Sequence, residues 1–184
     1  MFLARKARLV AVGVLAALIL TGCTSAPSEP AAPSSEPSEA AQTRPENRSV
    51  TVVEVTDLST LVVTPSEESD ELFGEEFTVH LSDIEGPAEG ECGFDEAVAH
   101  AEENLFGGPR KIMYESEPAG GEWIDAAGDH YGFLGGAGLP YAQRMIVDGM
   151  ALTTDAWSGS YEGNQSTAQA NNTGLWAQCP DFGA

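Results

Sequence analysis

Three short runs rich in β-branched residues, followed by one helical pattern, constrain the fold of this chain more than any other feature. The runs lie at residues 50–55, 60–63 and 77–84. Short runs of this kind are typical of strands, and the third alternates so that Phe77, Val79 and Leu81 share one face. Apolar residues then recur at helical spacing over residues 94–105, and Gly107-Gly108 predicts the helix end.

The second half of the chain carries weaker patterns of the same two kinds. They predict strands at 112–114 and 131–139 and helices at 141–147 and 161–170. Three strands, a helix, two strands and a helical end is the element order of an OB-fold. We therefore predict a β-rich α+β chain: a five-stranded OB-fold barrel with an inserted helix and C-terminal helices.

The N-terminus has the organisation of a targeting segment. Residues 1–8 form a short basic segment, and residues 9–20 form an apolar run of twelve residues. A bilayer span needs about 20 residues, whereas a run of this length fits the core of a signal peptide. The string Leu20-Thr21-Gly22-Cys23 resembles a bacterial lipobox. The resemblance implies a lipoprotein signal peptide over residues 1–22 and a lipid on Cys23; an ordinary signal peptide with an incidental cysteine is the alternative.

Residues 23–48 are rich in proline, serine and glutamate and have no aromatic residue. Such a segment cannot bury apolar surface, so we predict an extended tether. Residues 49–184 then form one domain, held on the extracytoplasmic face of a bacterial membrane. In that oxidising compartment Cys92 and Cys179 are expected to pair, with two free buried cysteines as the alternative.

The charge of the chain disfavours a nucleic-acid partner. The sequence has 8 Lys and Arg against 29 Asp and Glu, a formal net charge of -21. Within residues 49–184 the bases are Arg110, Lys111 and Arg144, against 25 acids. Nucleic-acid binding draws its affinity from basic side chains that neutralise phosphates, so this domain repels a polyanion.

Five strings resemble, in order, the motifs of staphylococcal-nuclease-like (thermonuclease) domains. They lie at residues 53–63, 79–87, 129–134, 147–151 and 174–176. The string at 79–87, Val-His-Leu-Ser-Asp-Ile-Glu-Gly-Pro, is similar to the family pattern V-R-L-x-G-I-D-x-P. The resemblance covers roughly residues 50–179. It implies the same barrel, and secreted members often carry cysteines at positions matching Cys92 and Cys179.

The family hydrolyses phosphodiesters with a Ca²⁺ ion, two arginines and a glutamate. On the register of these strings, the arginines fall on His80 and Phe133, and the glutamate falls on Ala88. The two metal-binding carboxylates fall on Ser59 and Glu85. The resemblance therefore implies a degenerate site, because the groups that stabilise the transition state and activate water are replaced.

Two nearby carboxylates offer replacements for missing site residues. With a one-residue bulge, Glu89 would take the position of the base. Asp57 would take the place of the metal ligand lost at Ser59. The first hypothesis is a catalytically inactive, monomeric barrel that binds an envelope protein or ligand and needs no cofactor. The alternative is a surface Ca²⁺-dependent nuclease with a rearranged site. A third hypothesis is a wall-side module that binds a solute or polymer. The sequence thus favours a protein without catalytic activity but does not exclude an enzyme.

Four further residues carry expectations about their surroundings. Asp129-His130 is expected to be a surface pair in a loop. Trp123 lies in a glycine-rich stretch and is expected to be exposed. Trp176 is expected to belong to the core and to close the barrel near the cysteine pair.

Overall fold

The computed structural model describes residues 43–117, 121–136, 138–154 and 158–184. The predicted signal peptide, Cys23 and most of the predicted tether lie outside these described residues. These described residues belong to one compact unit. Among the described residues, no helix combines the length and the apolar character needed to cross a membrane.

The elements follow one another in the predicted order, with two short strands and one short helix in addition. The strands are β1 (Arg48–Val55), β2 (Thr60–Pro65), β3 (Phe77–Leu81), β4 (Ile84–Glu85), β5 (Arg110–Met113), β6 (His130–Gly135) and β7 (Leu152–Thr153). The helices are α1 (Phe94–Leu105), α2 (Tyr141–Val147), α3 (Ser158–Ala170) and α4 (Leu175–Gln178).

Five strands close into a barrel in the order β1-β2-β3-β6-β5, and β5 pairs with β1 to complete the ring. All neighbours are antiparallel except β3 and β6, which run parallel. The pairing register of β1 with β2 shifts between Val52 and Glu54, a bulge that bends the strand and helps a small barrel to close. The predicted OB-like barrel with helices is confirmed.

The barrel interior is filled by alternating apolar residues of all five strands. They include Val50, Val52, Val55, Leu61, Val63, Val79, Leu81, Ile112 and Leu134. Helix α1 buries Ala97, Ala101 and Leu105 and packs against β1. Helix α2 packs against β6 and α3. The small residues on α1 allow it to lie close to the barrel wall.

The predicted third strand is broken in two. β3 ends at Leu81, and β4 leaves the barrel to pair with β7, where Ile84 lies opposite Thr153. Ser82 and Asp83 make the change of direction, with the Ser82 amide donating to the Gly132 carbonyl at 3.1 Å. An alternating pattern cannot reveal this break, because the partner of β4 comes some seventy residues later in the chain.

The C-terminal region confirms one prediction and corrects another. Cys92 and Cys179 form a disulfide with their Cα atoms 5.7 Å apart, as predicted. Leu175, rather than Trp176, is the fully buried residue of this segment. Trp176 is half-buried and packs edge-on against Phe182, with ring centroids 4.8 Å apart. The expectation that Trp176 closes the barrel is wrong, because the first turn of α4 directs its neighbour inward.

Candidate functional site

One cleft gathers most of the residues that the family register predicts to bind metal or activate water. This acidic cleft, about 350 Å³ in volume, is lined by residues 56–59, residues 85–89 and Phe94. It therefore includes Asp57, Ser59, Glu85, Ala88 and Glu89. The turn between β1 and β2 supplies one wall, and the segment after β4 supplies the other.

Asp57 organises its own turn. Its Oδ1 accepts hydrogen bonds from the Ser59 amide at 2.7 Å and from the Ser59 hydroxyl at 2.8 Å. This is an Asx turn, in which a short carboxylate satisfies backbone donors two residues further on. One Asp57 oxygen is thus engaged by Ser59, so these two residues act together as a turn.

The acidic cleft does not form a multidentate metal site. Within the described ranges, no group of three or more His, Cys, Asp or Glu side chains is placed to hold a metal ion. Calcium requires six to eight oxygen ligands, which makes a cleft with dispersed carboxylates a poor site. Asp57, the candidate replacement ligand, is therefore not part of such a group, and Glu89, the candidate base, lines the same cleft.

The two residues at the arginine positions lie apart from the acidic cleft, because neither His80 nor Phe133 is in its lining. Phe133 is half-buried on β6 and lies opposite Met113 of β5. His80 is on β3, between Thr60 of β2 and Tyr131 of β6. The acidic cleft is therefore not filled by Phe133.

A second concavity, the aromatic pocket, lies beside His80. It has a volume of about 230 Å³ and is lined by His80, Leu81, Ser82, Glu115, Trp123, Tyr131 and Gly132. The His80 and Tyr131 rings are stacked with centroids 5.0 Å apart and planes 27° apart. Gly132 is required here, since a Cβ at this position would lie 2.5 Å from the Met113 carbonyl oxygen.

Trp123 is fixed in this pocket by two backbone contacts. Its indole Nε1 donates to the Glu115 carbonyl at 3.0 Å, and its own carbonyl accepts from the Tyr131 amide at 2.8 Å. The side chain is 9% exposed. The expectation of an exposed Trp123 is wrong, because these contacts hold Trp123 itself against the barrel wall.

Carboxylates surround the aromatic pocket. Asp125 Oδ2 accepts from the Tyr131 hydroxyl at 3.2 Å, and Asp129 Oδ2 lies 3.5 Å from His80 Nε2. Hydrogen bonds from the Asp129 and Ala127 amides and from Tyr131 lower the pKa of Asp125. The Glu115 side chain accepts from the Ser82 hydroxyl at 2.8 Å. Neither the aromatic pocket nor the acidic cleft has a Lys or Arg among the described residues of its lining.

His130 lies inside the domain and not on its surface. It is 2% exposed, and its Nδ1 lies 2.5 Å from the Tyr114 hydroxyl oxygen. Burial is the main cause that lowers the pKa of His130, to about 4. The predicted surface pair with Asp129 is wrong: His130 begins β6 with its side chain inward, whereas Asp129 faces His80 outside.

Asp83 is a buried carboxyl that the sequence does not single out. It is 1% exposed, and neither carboxyl oxygen has a hydrogen-bond partner among the described residues. Burial raises its pKa to about 7, and the nearby Glu115 charge acts in the same direction. The preceding Ser and following Ile offer no signal, because its burial follows from the break between β3 and β4.

Comparison of the chain with models of known protein families finds no match, and comparison with curated proteins finds none either.

Proposed function

We propose that this protein is a lipid-anchored, extracytoplasmic barrel whose thermonuclease-like domain is catalytically inactive and serves a binding role in the cell envelope. The lipobox-like string at Cys23 supports the anchor, and the degenerate motif positions support the loss of chemistry. The tether of residues 23–48 then holds the barrel away from the membrane surface.

The observation that carries this proposal is the chemical character of the two concavities. In the described residues their linings contain carboxylates, aromatic rings and no Lys or Arg. A single arginine that stabilises a phosphoryl transition state is worth about 10³-fold or more in rate. His80 stacks on Tyr131 and lies 3.5 Å from Asp129, so it replaces that guanidinium with a ring held against a carboxylate.

A Ca²⁺-dependent nuclease is the second candidate, and one observation favours it. One open cleft is lined by Asp57, Glu85 and Glu89. A bound Ca²⁺ ion would draw these three carboxylates toward itself. The overall negative charge opposes this function, because a nucleic-acid substrate approaches a like-charged surface.

A cleavage assay separates the two candidates. The purified full-length chain is incubated with fluorescent single-stranded DNA, with Ca²⁺ or with a chelator. We expect no Ca²⁺-dependent cleavage. Cleavage that requires Ca²⁺ and disappears in Glu85→Ala, but persists in the matched control Glu67→Ala on an exposed loop, would establish the nuclease and refute the proposal.

Mass spectrometry of the mature protein tests the anchor separately. We expect an N-terminal Cys23 whose mass includes acyl chains. A mature N-terminus at another residue, or an unmodified Cys23, would refute the lipid anchor and leave the conclusion on catalysis to the cleavage assay.

A further inference from the structure

The aromatic pocket has three ring-bearing residues in its wall. His80 and Tyr131 form a stacked pair, and Trp123 belongs to the same lining. The faces of aromatic rings carry negative charge density and attract cations, most of all cations that have lost their water. The wall therefore offers a surface suited to a cation with an apolar exterior.

The pocket volume limits the size of the occupant. At about 230 Å³ it is smaller than the roughly 300–1,000 Å³ of pockets that take drug-sized ligands. A space of this size suits a single small head group. The size favours one compact ligand group over an extended polymer.

Among the described residues, the pocket lining includes one carboxylate and no Lys or Arg, and two more carboxylates lie against its rings. The Glu115 carboxylate is part of the lining, Asp125 is bonded to the Tyr131 hydroxyl, and Asp129 faces His80. Arg48, a base on the barrel strand β1, is paired with Asp70 at 2.5 Å and is not part of the pocket lining. Phosphate, sulfate or carboxylate ligands would be repelled, and a cation would be attracted.

The wall is also held in place before any ligand arrives. Ser82 bonds the Glu115 side chain, and Trp123 bonds the Glu115 backbone. Tyr131 is fixed at its hydroxyl by Asp125 and at its backbone amide by Trp123. A preorganised site binds more tightly because fewer side chains are ordered on binding.

We propose that the aromatic pocket binds a small quaternary ammonium cation, with the rings of Trp123, Tyr131 and His80 around its methyl groups and Glu115 as the counter-charge. A quaternary cation fits better than a primary amine, because methyl groups need ring faces and no hydrogen-bond acceptors. This inference rests on the proposed binding role and names its ligand class.

Choline is the probe, and the experiment uses the full-length chain at a pH of about 8. Isothermal titration calorimetry and the Trp123 indole NMR signal follow binding. The matched control ligand is 3,3-dimethyl-1-butanol, which has the shape of choline without the charge. We expect saturable choline binding and at least tenfold weaker binding of the neutral alcohol, consistent with about 1–2 kcal/mol of cation-π attraction.

Variants locate the site. Glu115→Gln removes the charge but keeps an oxygen that accepts from Ser82, and Tyr131→Leu removes a ring; each is expected to weaken choline binding about tenfold or more. Glu117→Gln makes the same charge change at an exposed position outside the pocket lining and is expected to leave the affinity unchanged. If Glu115→Gln fails to fold, Tyr131→Leu decides the result.

The inference is overturned if choline does not bind at up to about 100 mM, if the neutral alcohol binds equally well, or if both pocket variants bind like Glu117→Gln. Any of these results leaves the proposed inactive barrel intact. Ca²⁺-dependent cleavage of DNA would refute the proposed function by a separate measurement.

Discussion

The Tyr114 hydroxyl and the His130 ring meet inside the domain, with 2.5 Å between the hydroxyl oxygen and Nδ1. Burial raises the pKa of Tyr114 to about 12 and lowers the pKa of His130 to about 4. At neutral pH both groups are therefore uncharged, and the hydroxyl and the ring nitrogen share one buried hydrogen bond. Phe77 covers the same ring, with centroids 4.4 Å apart.

Replacing Tyr114 by Phe is expected to destabilise the fold by about 1–3 kcal/mol, because Nδ1 of His130 is left buried without its hydrogen-bond partner. Urea denaturation at pH about 7 measures this loss. Tyr131→Phe removes a hydroxyl at a half-exposed position and serves as the control, with an expected change below about 1 kcal/mol. Equal effects of the two substitutions would contradict the prediction.

The ionisation of Asp83 is expected to make the fold less stable as pH rises. The unfolded chain ionises this carboxyl near its ordinary pKa of 3.8, whereas the folded protein keeps it protonated up to about 7. The contribution of the protonated Asp83 carboxyl to the free energy of unfolding is therefore fully present below pH 3.8. It is lost as pH rises through 7. The loss is on the order of 4 kcal/mol.

His130 has the opposite dependence in the same range. Its pKa is about 4 in the fold against an ordinary 6.5, so the unfolded chain takes up a proton first and stability falls as pH decreases. The two groups therefore offset each other between pH 4 and 7. In Asp83→Asn only the His130 effect remains, so the free energy of unfolding should fall as pH decreases from about 7 to about 4.

Urea unfolding at several pH values between about 4 and 8 tests this pair of trends. The stability of Asp83→Asn minus that of the unchanged protein is expected to increase with pH, by up to a few kcal/mol. Asp181→Asn, at an exposed position, is the control and should give a flat difference. A flat difference for Asp83→Asn would show that this carboxyl is ionised in the fold.

Removal of the disulfide between Cys92 and Cys179 is expected to lower the free energy of unfolding by about 4 kcal/mol. The two residues are 87 positions apart, and the bond restricts a loop of that length in the unfolded chain. The double variant Cys92→Ala, Cys179→Ala is compared with the oxidised protein by denaturant unfolding. Unchanged stability would show that the bond does not stabilise the fold by restricting the unfolded chain.

Two glycines are expected to respond to alanine with opposite signs. Gly149 has φ +71°, and a Cβ there would collide with the Thr173 carbonyl oxygen. Gly149→Ala is expected to destabilise by at least about 1–3 kcal/mol, through backbone strain and the displaced turn. Gly163 lies in α3, where an added Cβ would meet nothing within 4 Å, so Gly163→Ala is expected to stabilise by about 0.5–1 kcal/mol. Thermal unfolding of both variants checks the signs, and a stabilised Gly149→Ala would contradict the turn geometry.

The strands and the inserted helix were predictable because their patterns are local. Val79 and Leu81 alternate with polar neighbours, and the helix over residues 94–105 repeats its small apolar face every three or four positions. The pairing of Cys92 with Cys179 followed from the compartment implied by the N-terminus. The break at Ser82-Asp83 was not predictable, because it depends on the late strand β7.

Of the two candidate sites, the acidic cleft was predictable from local motifs and the aromatic pocket was not. Asp57, Ser59, Glu85 and Glu89 were singled out from motif positions, and the structure places them in one cleft without a metal cluster among its described residues. No sequence pattern predicts the aromatic pocket, because a glycine-rich stretch predicts an exposed Trp123 and Glu115 belongs to no motif. A signal for the pocket exists only in the combination of residues far apart in the chain.

The sequence by itself determined the order of the elements, the acidity of the domain, the absence of arginines from the motif positions and the available cysteine pair. These are properties of composition and of neighbours within a few residues. The tertiary structure alone decided which polar groups are buried and which rings share a pocket. The parallel pairing of β3 with β6 brings His80 beside Tyr131 and turns His130 inward. That register joins segments fifty residues apart, and no local pattern records it.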